Sequence, residues 1–107
     1  MDQPKNGLEI LAPAQRELDE IALIHLELAG VKSSRKITNS IYNSLQLLQT
    51  SPNMGVDYKP LKLQGYRMLI CGHYLCIYRV LGDTGYVYHI VDGKANYPKL
   101  AMDLKKK

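Results

Sequence analysis

The sequence predicts an α+β fold in which an N-terminal strand and a two-helix hairpin pack on a C-terminal antiparallel meander sheet. Three observations predict it. Apolar residues recur at three- and four-residue spacing between about residues 13 and 50, the period falls to two beyond residue 65, and a stretch with two prolines and two glycines separates the regimes. With 107 residues, 46% hydrophobic and 22% charged, the chain has the size and balance of one compact domain. That domain spans 1–107, with flexible ends at 1–7 and 101–107.

Leu8 to Leu11, between Asn6-Gly7 and Pro13, is a mostly apolar run long enough for a strand and too short for a helix. Ala14, Leu18, Ile21, Ala22, His25 and Leu28 then fall on one helical face, and Gly30 is a stop signal, so a first helix is predicted from about Pro13 to Ala29. Ser33 or Ser34 is suited to cap a second helix by accepting from its free backbone amides. The apolar stripe of that helix is Ile37, Ile41, Leu45 and Leu48, with Ser40 and Ser44 small enough to let the first helix approach, and Ser51-Pro52 ends it.

Pro52 to Gly65 has no sustained period and is predicted to be a loop. Tyr66 to Cys71, Tyr74 to Leu81 and Tyr86 to Asp92 are rich in Tyr, Val, Ile and Leu and are separated by Gly72-His73 and Gly82-Asp83-Thr84-Gly85, which predicts consecutive hairpins. Alternation on the middle strand puts Tyr74, Cys76, Tyr78 and Val80 on one face and Leu75, Ile77, Arg79 and Leu81 on the other. One face is expected to bury against the helices, and the other, bearing aromatic and basic groups, to stay open for a partner. The last residues, Leu100 to Lys107, form a short amphipathic stretch ending in three lysines.

A net charge of +4 and a pI near 9.1 favour approach to a polyanion or an acidic protein, or simply aid solubility. Cys71 and Cys76 sit in apolar, strand-like sequence, which reads as reduced core thiols rather than staples. Their spacing does not match a zinc knuckle, and the three histidines are scattered, so no metal is expected. No glycine-rich phosphate loop suggests a nucleotide cofactor. A polar N-terminus and the lack of a long apolar span point to a cytoplasmic protein without a membrane partner.

The residues at the joints of this plan resemble a known pattern. Ala14 to Ile21 is similar to the first-helix opening of the RelE/ParE superfamily, and Ile41 to Leu48 followed by Ser51-Pro52-Asn53-Met54-Gly55 to the end of its second helix. Gly65-Tyr66-Arg67-Met68-Leu69-Ile70, Tyr74-Leu75-Cys76-Ile77-Tyr78-Arg79-Val80 and Val87-Tyr88-His89-Ile90-Val91-Asp92, closing with Asn96-Tyr97, resemble its sheet signature. The resemblance covers about residues 8 to 100 and implies the toxin of a type II toxin-antitoxin, or addiction, module. It also implies a cognate antitoxin whose C-terminal segment wraps the toxin, an oligomer formed through that complex, and either DNA gyrase or the ribosome and its messenger RNA as target.

A RelE-like endoribonuclease attacks the scissile phosphate with the neighbouring ribose 2'-hydroxyl, which needs proton movers and cations but no cofactor or metal. Arg67 and Arg79 are the candidate cations, His89 and Tyr97 the candidate proton movers, and Lys62 and Lys94 candidates to hold the flanking backbone. Each also has a structural reading. Arg79 shares a strand face with Leu75 and Ile77 and can snorkel or pair with a carboxylate, and His89 alternates with Val87 and Val91 as a core histidine does. Tyr97 precedes Pro98 and can cap the core, while the remaining tyrosines serve as aromatic packing in a chain with no Phe or Trp.

Two departures from the nuclease pattern matter. Leu75 stands where RelE-like ribonucleases place an arginine after the tyrosine opening the middle strand, and Met68 and Leu69 follow Arg67 where a second cation belongs. The resemblance therefore leans toward ParE-like gyrase inhibition, with ribosome-dependent cleavage as the alternative and a non-toxic basic module or toxin remnant as a third reading.

Overall fold

A computed structural model of the chain describes residues 7–93. The expectations for Lys94, Tyr97 and the two ends, Gly7 apart, lie outside those residues. The chain runs β1 (Gly7–Ile10), α1 (Ala12–Ala29), α2 (Val31–Gln46) with a closing 3-10 turn (Leu47–Gln49), α3 (Lys59–Lys62), β2 (Arg67–Cys71), β3 (Tyr74–Leu81) and β4 (Thr84–Asp92). This is the α+β plan that the periodicity predicts. Gly7, assigned to a flexible end, instead opens β1 and donates its amide to the Asp83 carbonyl at 2.8 Å.

The sheet has the order β1-β4-β3-β2. The meander is antiparallel, but β1 pairs in parallel with β4, Gly7 opposite Thr84 and Ile10 opposite Val87, so the sheet as a whole is mixed. The reason is connectivity. β1 and β4 are far apart in sequence and both helices lie between β1 and the meander, so β1 is free to adopt the parallel sense that a two-residue hairpin forbids.

Pro13 in the first turn of α1 is tolerated because the amides there have no partner inside the helix. Ala14, Leu18 and Ile21 are buried as the spacing predicts, but Leu28, placed on the same face, is 80% exposed in the last turn of the helix. Neither Ser33 nor Ser34 caps α2, which starts directly after Gly30. Gly30 has φ 90°, the left-handed region that glycine enters without a Cβ penalty, and so reverses the chain in a single residue. Ser34 instead donates from Oγ to the Ala22 carbonyl at 2.7 Å and ties the two helices together. Ser40, expected at the helix contact, is exposed.

The alternation predicted for β3 holds. Cys76 and Tyr78 join Ala14, Leu18, Ile21, Ile41, Leu45, Leu48, Leu69, Cys71, Val87 and Ile90 in the core under the helices. Leu75 and Ile77 face the other way, with Met68, Tyr66 and Leu61. This second face is not open, as the sequence reading expected. Leu61 on α3, itself fully buried, covers it, and Tyr58, Tyr88 and Val91 pack against the same cluster. The segment from Pro52 to Gly65 is thus a wrap around the β2 edge, starting beside Tyr78 on the helix side and ending over Leu75 and Ile77. In passing, Val56 exchanges both backbone hydrogen bonds with Met68, at 2.7 and 3.1 Å, and closes part of an edge that is otherwise a template for aggregation.

Tyr78 anchors the start of this wrap. Its buried hydroxyl donates to the Pro52 carbonyl at 2.8 Å and accepts from the Gly55 amide at 3.0 Å. A Cβ on Gly55 would lie 2.6 Å from that hydroxyl and 2.7 Å from the Met68 carbonyl, so the approach admits no side chain. Tyr78→Phe leaves a buried carbonyl and amide unpaired, and we expect a loss of about 1–3 kcal/mol in urea unfolding. An unchanged midpoint would remove the anchor from this account.

Candidate functional site

The structure separates the two arginines expected to share a phosphate. Arg67 opens β2 on the face of Leu69 and Cys71, toward the helices, whereas Arg79 is on the face of Leu75 and Ile77. Arg67 Nη1 donates to Asp57 at 3.0 Å, and Nη2 donates to the Asn53 and Gly55 carbonyls at 2.8 and 2.7 Å. Lys62 meets the other Asp57 oxygen at 3.2 Å, so both cations share one carboxylate. An exposed pair such as Lys62–Asp57 contributes about 1 kcal/mol at most, but the charge-assisted bonds from Arg67 to loop carbonyls order the backbone.

Arg79 sits in an aromatic pocket. Its guanidinium carbon is 4.2 Å from the centre of the Tyr66 ring and 5.5 Å from that of Tyr88, and the two rings meet edge to face at 5.0 Å. Nη2 donates to the Gln64 carbonyl at 2.7 Å. The Nε atoms of Arg67 and Arg79 are buried without an acceptor among the described residues. Cation and ring quadrupole attract most strongly where water is thin, which holds Arg79 in the second-face cluster.

His89 is placed by a bulge that the sequence reading missed. Ile77 pairs with His89 and Tyr78 with Val87, so Tyr88 is the extra residue and the alternation of β4 shifts by one. Val87 and Ile90 consequently share the helix-side core, while Val91 joins the opposite cluster, which corrects the expectation that Val87, His89 and Val91 line one face. His89 Nδ1 lies 3.1 Å from Glu17 of α1, and the same carboxylate oxygen accepts from the Ile90 amide at 3.1 Å. Of the six candidate residues, then, Arg67 and Lys62 meet through Asp57, Arg79 and His89 are each held elsewhere, and Lys94 and Tyr97 are outside the described residues.

A constellation that the sequence reading missed lies at the β2–β3 turn. An open cleft of about 620 Å³ is lined by His25, Ile37, Ile70, His73, Tyr74 and Asp92, among others. His25 Nε2 and the Tyr74 hydroxyl are 2.9 Å apart, with the rings edge to face. The residues are 49 positions apart, and His25 reads in sequence as one more member of a helical stripe, so only the packing of α1 on the sheet reveals the pair. Among the described residues, no group of three or more His, Cys, Asp or Glu side chains is arranged to hold a metal ion.

The model of the ParE toxin of type II toxin-antitoxin systems matches residues 8–97, most of the chain. The chain belongs to the ParE toxin family. A solved structure described as the chromosomal ParDE toxin-antitoxin system from P. aeruginosa shares the fold with a TM-score of 0.71 at 23% identity, over 82% of this chain and 96% of that one. No curated protein matches. For a member of this family, the features brought together are a stacked arginine on the far face, a carboxylate bridging two cations at the β2 edge, and a His-Tyr cleft at the opposite end of β2.

Burial, and then the nearby Asp92 carboxylate, push the Tyr74 phenol above its ordinary value. The folded chain therefore keeps this proton longer than the unfolded one, and the resulting stability is present below about pH 10 and lost as pH rises through Tyr74's own ionisation. The difference between the ultraviolet titrations of the native protein and Tyr74→Phe should be a single late wave above the free-tyrosine range. A wave at or below that range would contradict the burial and charge assigned to this cleft.

Proposed function

We propose that this chain is a cytoplasmic toxin neutralised by a cognate antitoxin, and that the free toxin inhibits DNA gyrase by protein contact. One observation carries the choice of target: the cations that a phosphate-cleaving site needs are engaged within the chain. Arg67 is bound to Asp57, Asn53 and Gly55, and Arg79 to Gln64 and two aromatic rings. Transition-state stabilisation requires donors aimed at the developing charge before reaction, and moving either arginine breaks bonds that order the loop. An inhibitor acting by contact needs no such donors.

The helical hairpin supports an antitoxin partner. Leu23, Ile24, Leu28 and Val31 are exposed at its far end, and α2 carries Lys32, Arg35 and Lys36 without an acidic residue. An antitoxin segment with apolar anchors and acidic neighbours fits both features. Among the described residues, no helix is long and apolar enough to cross a membrane.

Ribosome-dependent messenger cleavage is the second reading, favoured by the Nε of Arg79, which has no acceptor among the described residues and lies beside two tyrosines. It assigns catalysis to Arg67, Arg79, His89 and Tyr97 and backbone contacts to Lys62 and Lys94. Induced expression in a bacterial host carrying a DNA-damage reporter and a translation reporter separates the readings. Gyrase inhibition predicts double-strand breaks and an SOS response with translation intact at first, and co-expression of the antitoxin encoded beside it restores growth. Early loss of translation without DNA damage would overturn the gyrase assignment, and unimpaired growth would leave a toxin remnant.

A further inference from the structure

The β2–β3 hairpin brings together two thiols that none of the readings above uses. Cys71 is opposite Tyr74 and Cys76 opposite Leu69, so the cysteines are diagonal neighbours on the helix-side face. Both are free and buried, and their sulfurs are 3.4 Å apart. A disulfide requires about 2.05 Å, which leaves little distance to close. β2 is the edge strand, and its outer contacts to the wrap, the Val56 bridge at Met68 and the Arg67 clasp, lie toward its other end, so its Cys71 end can shift without disrupting a further strand.

We propose that Cys71 and Cys76 form a redox modification site, closed to an intrachain disulfide by a small two-electron oxidant of the peroxide class and reopened by thiol reductants. The Cys71 thiol loses its proton, and its sulfur attacks one peroxide oxygen. The O–O bond breaks, giving a sulfenic acid and one water. The Cys76 sulfur then attacks the sulfenic sulfur, the S–O bond breaks, and the oxygen leaves with the Cys76 proton as a second water. Each sulfur is oxidised by one electron, and the peroxide is reduced to two waters.

The order of attack follows from the surroundings. The hydrogen bond shared with Cys76 is the main influence lowering the Cys71 thiol, partly offset by its burial, and Ser44 of α2 lowers it further. The same sulfur contact, together with burial, pushes Cys76 up, and Cys76 is fully enclosed while Cys71 adjoins the turn that lines the cleft, so Cys71 attacks first and Cys76 resolves. Cys71 is only 3% exposed, but its neighbours Ile70 and Gly72 both line the open cleft at the turn, which gives a small oxidant a short way in.

The test uses the folded, full-length protein. It is exposed to hydrogen peroxide, quenched with catalase, unfolded in excess alkylating reagent and digested with trypsin, which leaves both cysteines in the Met68 to Arg79 peptide. The expected product is that peptide lighter by two hydrogens and without alkyl groups, from protein whose circular dichroism is unchanged; reductant then restores two alkylatable thiols. Two alkylated cysteines, arrest at a sulfinic acid, a disulfide joining two molecules, or oxidation only alongside loss of the fold would each overturn the proposal.

Discussion

A four-stranded sheet has two faces and two edges to cover, and the described residues supply one helical hairpin with which to cover them. The rest of the structure depends on how it manages the shortfall, by folding the segment from Pro52 to Gly65 around β2. Tyr78 and Arg67 hold the start of that segment, Val56 is stitched to Met68 at the edge, and Leu61 is pressed onto Leu75 and Ile77 on the far side. A buried hydroxyl with both its donor and acceptor satisfied is costly to disturb, which makes Tyr78 a fixed point for a loop with little periodic structure of its own.

That solution has electrostatic consequences. In a basic chain, the arginine closest to the wrap is used as an internal clasp, and its carboxylate partner also engages Lys62. The arginine on the far face is stacked on tyrosines rather than displayed beside other cations. The scaffold therefore keeps its positive charge while holding Arg67 and Arg79 on opposite faces of the sheet.

Much of this was legible in the sequence. The helical stripe of Ile41, Leu45 and Leu48 and the two-residue alternation of Cys76, Ile77 and Tyr78 follow directly from period, because burial of one face imposes it. Less legible were the features set by contacts between distant residues. The parallel pairing of β1 depends on where two helices deliver the chain. The bulge at Tyr88 shifts His89 by one position without leaving a glycine or proline to mark it. The wrap looks like an ordinary loop because its anchors, Tyr78 and Arg67, are on other elements. The His25–Tyr74 pair and the Arg67–Asp57–Lys62 cluster were hidden for the same reason, since pattern reading assigns a residue to a face but not to a partner.

The central claim is that the wrap is part of the folded core rather than a loose loop, and its backbone amides report on this directly. Native-state hydrogen exchange followed at the Gly55, Val56 and Met68 amides should show protection comparable to that of the buried strand amides of β3, lost only with global unfolding. Exchange of these three amides at the rate of an exposed loop, while β3 remains protected, would contradict the account.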